Sequence, residues 1–240
     1  MSLSGRRVRA IFRKELRDYR RNNSIVAAMA IIPLIFLVQP LVIVLKLSGS
    51  AAGTIAHAHA LLYMLAIPAL VPALVAAYSV VGERTQGTLE PVLSTPIRRE
   101  EFLLGKALAA LVPSVAVAYA VYTAFLVIVK LFAAPALVPA LLRWPDIVAQ
   151  IVFTPLLAAW SIWLGIGISA RVGDVRVAQQ LGMVASLPTA VVTSLVAFDV
   201  IHATVGLAIG CAALLLLLDG LGWRTLAVTL NRERLITGTR

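Results

Sequence analysis

Apolar residues in this chain fall into six runs, each bounded by short polar segments, at residues 25–45, 61–81, 107–131, 147–170, 179–198 and 203–221. Each run is close to the twenty residues that a helix needs to cross a bilayer core of about 30 Å. The pattern predicts an all-α polytopic membrane protein with six transmembrane helices. Between the third and fourth runs, "FAAPALVPALLRWPD" carries three prolines and predicts a break rather than a continuous helix. Two polar stretches stand out: the first 23 residues, and a mid-chain segment at 82–106, "GERTQGTLEPVLSTPIRREEFLLGK".

In the first stretch, Val8, Ile11, Phe12, Leu16 and Tyr19 recur at helical spacing, with Arg13, Lys14, Arg17, Arg20 and Arg21 in other directions. Such a helix lies along a membrane surface, cations against anionic headgroups. It either orients the first span or acts as a lever against a cytoplasmic partner. The expected organisation is one transmembrane domain over 1–240: an interfacial helix at 1–23, two spans at 25–81, a loop at 82–106, four spans at 107–221 and a tail at 222–240.

Composition agrees with this reading. The chain is 60% hydrophobic and only 13% charged, against about a quarter charged in soluble domains. The mean hydropathy is +0.95. The net charge of +10 does not point to nucleic acid, because eight basic residues precede the first run and most others flank later ones. Only Lys46, Lys130 and Arg143 fall on one side of the six-span topology. The remaining eighteen fall on the other, so both termini are expected in the cytoplasm. The single Cys211 lies in an apolar run and excludes an intrachain disulfide.

Several chemistries are missing. All eleven carboxylates can be placed in loops or at span ends, which argues against a proton- or ion-coupled carrier. There is no His-Glu-x-x-His motif. Gly105–Lys106 fails as a phosphate loop, since Glu100 stands where the earlier glycine belongs and Ala107 replaces Ser or Thr. No catalytic residue, bound cofactor or metal is therefore expected. His57, His59 and His202 fall on the outer side and read as solvated loop residues rather than as a metal site with Asp199. Trp144 and Trp223 fall near predicted membrane boundaries, as in an aromatic belt.

The mid-chain loop has its own design. Gly82 is positioned to end the second span. Thr88 reads as an N-cap, with Leu89, Glu90 and Pro91 in a first turn and Leu89, Val92 and Leu93 on one face. Thr95–Pro96 would stop that helix and cap the next. Four acidic residues balance four basic ones, which suits a docking surface as well as a solvated connector.

The string "ERTQGTLEPVLSTPIRREEFLLGK" resembles the signature loop of the type-2 membrane components of ATP-binding-cassette exporters. Glu83, Gly87, Thr88, Leu89, Glu90, Thr95, Pro96, Arg99, Gly105 and Lys106 match that pattern. "IFRKELRDYRRNN" and "LNRERL" agree with its ends. The resemblance implies a permease in the cell membrane that pairs with a second permease copy, as homodimer or heterodimer, and binds separate ATPase subunits that carry ATP and magnesium. It implies that a short coupling helix at 88–94 and the N-terminal helix contact the ATPase, and that a small hydrophobic or amphipathic substrate is exported. A membrane scaffold or assembly factor that binds an ATPase without transporting is the alternative. Tyr119, Tyr122, Thr123, Trp160, Ser161 and Trp163 either pack helices or line a substrate path. "FDVIHAT" leaves little room for the re-entrant exit helices that many family members carry between spans five and six.

Overall fold

A computed structural model describes residues 3–47, 59–88 and 97–229. The predicted coupling helix beyond Thr88, with Leu89, Glu90, Val92, Leu93, Thr95 and Pro96, lies outside the described residues, as does His57. Eight α-helices are described: α1 (Gly5–Arg21), α2 (Asn23–Lys46), α3 (Ala66–Thr85, entered through a 3-10 turn at Ala60–Leu65), α4 (Arg99–Phe132), α5 (Val138–Leu141), α6 (Trp144–Ser169), α7 (Val175–Ala197) and α8 (Val205–Thr229). Six of them, α2, α3, α4, α6, α7 and α8, are long and apolar enough to cross a membrane.

Local chemistry sets the boundaries. The Asn22 side chain accepts the backbone N–H groups of Ser24 and Ile25, so the chain turns between α1 and α2. Asp174 does the same for Arg176 and Val177 at the start of α7. The proline-rich connection breaks as expected, leaving only the short α5 between α4 and α6. Single prolines inside the spans, such as Pro72, Pro113, Pro155 and Pro188, are accommodated within continuous helices.

α3 is the axis of the bundle. Its apolar window is 89% buried, against 6% for α8 at the periphery. Close approach to α3 depends on small residues. A Cβ on Gly165 would lie 2.7 Å from the Ala73 carbonyl oxygen and 2.8 Å from the Ala76 Cβ, so α6 meets α3 backbone to backbone. Hydroxyls complete that seam: Ser161 donates to the Ala69 carbonyl at 2.6 Å, and Ser169 accepts from the Val80 and Val81 N–H groups at 3.0 Å each.

Three boundaries differ from expectation. α3 continues through Gly82 to Thr85. Gly82 is a packing residue instead, where a Cβ would meet the Tyr78 ring at 2.6 Å. The helix ends at Gly87, whose φ of +68° supplies the left-handed turn. The Thr88 N–H donates to the Glu83 carbonyl and the Gly87 N–H to the Arg84 carbonyl, the paired bonds of a Schellman cap. At the other side of the loop α4 begins at Arg99, with Arg98 as its cap rather than Thr95–Pro96. Arg99 and Lys106 are thus helical, not loop, residues. Finally, α8 extends past residue 221 to Thr229, which places Asp219 inside a helix rather than at its end.

Candidate functional site

The two ends of the polar loop are brought together by charge. Glu83 sits in the last turn of α3 and Lys106 about two turns into α4. The Lys106 ammonium is fully buried. It contacts Glu15 Oε1 at 2.9 Å, Glu83 Oε2 at 3.0 Å and the Ser79 carbonyl oxygen at 2.6 Å. The Phe102 ring lies beneath it, its centroid 4.9 Å from Nζ. Lys14 closes the group, pairing with Glu83 Oε1 and lying 3.3 Å from both Glu15 Oε1 and Asp18 Oδ2. Two lysines and two buried carboxylates from three helices therefore form one compact, charge-balanced cluster.

Electrostatics on α1 reflect this arrangement. Burial holds the Glu15 carboxyl above its ordinary value; Lys106 and Lys14 pull it down, Glu83 pushes it up, and the net shift is upward. For Lys14, burial acts against the charge, yet Glu15 and Glu83 outweigh it and hold the ammonium above its usual range. Burial, with Glu15 and Glu83 nearby, raises the Tyr19 phenol well above its ordinary value and keeps it neutral.

A second anchor lies at the start of α4. The buried Glu101 carboxylate accepts the Ser4 N–H at 2.8 Å, the Arg98 N–H at 3.1 Å and the Arg7 guanidinium at 3.1 Å. It caps its own helix and holds the start of α1 in the same contact. Between these anchors, Gly105 is the point of closest approach. A Cβ there would lie 2.6 Å from Ile11 Cγ2 and 3.3 Å from the Val8 carbonyl oxygen. The Gly-Lys pair of the sequence thus has a structural reason: the glycine admits α1, and the lysine binds it. Arg84, in the last turn of α3, then ties that helix to the chain leaving α6, donating to the Ala170 and Val172 carbonyls at 3.0 and 3.1 Å.

The sequence-derived residues divide accordingly. Glu83, Lys106 and Lys14 meet directly, whereas Arg13, Arg17, Arg20 and Arg21 stay on the exposed face of α1. Gly87 and Thr88 form the cap described above. Tyr122 and Ser161 are buried, and the Ser161 hydroxyl is committed to α3. Thr123 is exposed, and Tyr119 donates to the Ile151 carbonyl at 2.8 Å. Trp160 and Trp163 are half-buried on α6. Trp223 packs edge-on against Trp163 with ring centroids 5.8 Å apart.

Sequence reading missed Glu15, whose spacing on α1 looked like that of any solvated acid. It also misassigned one histidine. The His59 imidazole lies 2.7 Å from the buried Asp146 carboxylate at the far end of the bundle, so it is not a solvated loop residue. His202 pairs separately with Asp199 at 3.1 Å. Among the described residues no group of three His, Cys, Asp or Glu is placed to hold a metal ion.

An all-helical bundle with six apolar spans, stitched by a buried ionic cluster at one end, defines a multi-pass membrane protein. The chain matches the family model described as "ABC-2 family transporter protein" over residues 9–230 and belongs to that family. No curated protein matches it.

Proposed function

We propose that this chain is the membrane-spanning permease subunit of an ATP-driven exporter, with ATP hydrolysed by a separate ATPase subunit and no catalysis by the chain itself. One observation carries the reading: Glu83, Lys106, Glu15 and Lys14 lock both ends of the 86–98 segment and the N-terminal helix into a single unit. A push on that segment is then delivered to α1, α3 and α4 together, and α3 is the helix on which the bundle is built. Rigid-body transmission of this kind suits a switch whose energy enters from outside the chain.

The skewed distribution of Lys and Arg supports a cell-membrane location with this end of the bundle and both termini in the cytoplasm. There the exposed arginines of α1 meet anionic headgroups or the ATPase surface. The 88–94 segment docks on the ATPase, and two permease copies frame the path for a hydrophobic or amphipathic substrate.

Reconstitution tests the reading. The chain, purified with an ATPase encoded beside it and placed in liposomes, is expected to move a fluorescent amphipathic cargo only when ATP is hydrolysed. Binding of the ATPase with neither cargo movement nor cargo-stimulated hydrolysis across a cargo panel would instead identify a scaffold.

A further inference from the structure

Asp219 stands in the interior of α8. The uncharged run 205–218, about 20 Å of helix, precedes it, and Arg224 follows about 7 Å further along the axis. Arg224 is exposed and lies five residues on, about 140° around the helix from Asp219. The Asp219 Oδ1 atom is buried and has no hydrogen-bonding partner among the described residues. An unpartnered carboxylate within an apolar helix is expensive, and such groups mark binding sites for cations.

Its neighbours narrow the choice of cation. Leu215, one turn earlier, packs in the cluster that includes Trp160. Gly222, three residues on, lies directly against the Trp163 side chain, where a Cβ would come within 2.9 Å. Trp223, four residues on, makes the edge-on contact with Trp163. Three of the chain's four tryptophans therefore gather at the level of this one carboxylate. All four side chains are half-buried, and α8 lies at the edge of the bundle, so they stand where α6 and α8 meet near its lipid-facing surface.

Indole faces attract cations whose charge is spread and poorly hydrated, whereas a small hydrated metal ion gains little there. We propose that Asp219, with Trp160, Trp163 and Trp223, forms a membrane-facing site for lipophilic organic cations, and that this is the substrate class the transporter carries. The carboxylate neutralises the charge, the indoles cover the cation's apolar substituents, and the lipid-facing surface admits it from the acyl region of the bilayer. The substrate assignment rests on the exporter reading; the binding site does not.

The test uses the full chain in lipid nanodiscs without an ATPase, so its failure is separable from failure of the efflux assay. Binding of tritiated tetraphenylphosphonium is measured by scintillation proximity, with empty nanodiscs as the background. Saturable binding is expected, weakened at least about tenfold by Asp219→Asn and kept within about threefold by Asp219→Glu. Tetraphenylborate, of matching size and opposite charge, is expected not to compete. Equal binding by Asp219→Asn, or equal competition by tetraphenylborate, overturns the proposal. So does an Asp219→Asn variant that loses a dimer yet binds the cation as before, since the carboxylate would then serve a second copy of the chain. Should Asp219→Asn not be recovered folded, the tetraphenylborate and Asp219→Glu arms decide.

Discussion

Lys106→Met is expected to lower the thermal transition of the solubilised protein by about 10 °C and to free the N-terminal helix for proteolysis. The side chain is completely buried between Glu15 and Glu83, at 2.9 and 3.0 Å. Methionine fills similar space but leaves two buried carboxylates facing each other, with the half-exposed Lys14 as the nearest remaining cation. Removing one partner from a buried ionic group costs about 3–5 kcal/mol, far more than a surface pair contributes. For a chain of this size, each kcal/mol shifts the transition by about 2–4 °C. Adding Glu15→Gln and Glu83→Gln to Lys106→Met removes the stranded charges and should restore most of the loss. A single variant as stable as the wild type, or a triple variant no better than the single, would contradict the cluster described here. Recovery in the triple variant would also show that these charges set which helix faces meet more than they stabilise the fold.

Gly165→Val is the second large effect. The added Cβ would fall 2.7 Å from the Ala73 carbonyl oxygen, 2.8 Å from the Ala76 Cβ and 3.0 Å from the Ala77 nitrogen. These are mostly backbone atoms of the central helix and cannot rotate away. α3 is packed on nearly all sides, so α6 must withdraw, stretching the Ser161 and Ser169 hydrogen bonds along the same seam. Overpacking of this kind costs about 1–3 kcal/mol and can cost more where backbone is struck. The expected result is a marked fall in monodisperse protein on size-exclusion chromatography. Gly210→Val on α8, where nothing lies within 4 Å of the added carbon, serves as the neutral control. Equal yields for the two variants would contradict the backbone contact.

Much of this architecture was legible in the chain, because a bilayer demands a simple pattern. The six runs map onto six helices, with the proline-rich break where the prolines predict it. The loop signature was readable too, since the matched family is the one it resembles. What could not be read was the pairing of distant charges. Glu83 and Lys106 flank a polar segment and look solvated in sequence. Only the helical extensions of α3 to Thr85 and of α4 back to Arg99 turn them inward to face Glu15. Helix ends misled for a related reason. Gly82 and Gly87 are equivalent as letters, yet the first lies inside α3 against the Tyr78 ring and the second ends that helix at a positive φ. Asp219 was placed at a span end because the apolar run fades into "GLGWRT", although the helix continues to Thr229. The His59–Asp146 pair joins positions 87 residues apart, a separation that no local pattern encodes.

On the proposed function, energy reaches this chain through the segment between Glu83 and Lys106. The most direct test of this route is recovery of the partner ATPase with affinity-purified chain, comparing wild type with a Leu89→Ser, Val92→Ser, Leu93→Ser triple variant that replaces the apolar positions the sequence pattern assigns to the 88–94 segment. The account predicts near-equimolar ATPase with the wild type and at least about tenfold less with the variant, while membrane insertion and thermal transition stay unchanged. Equal recovery of the ATPase with both proteins would contradict it.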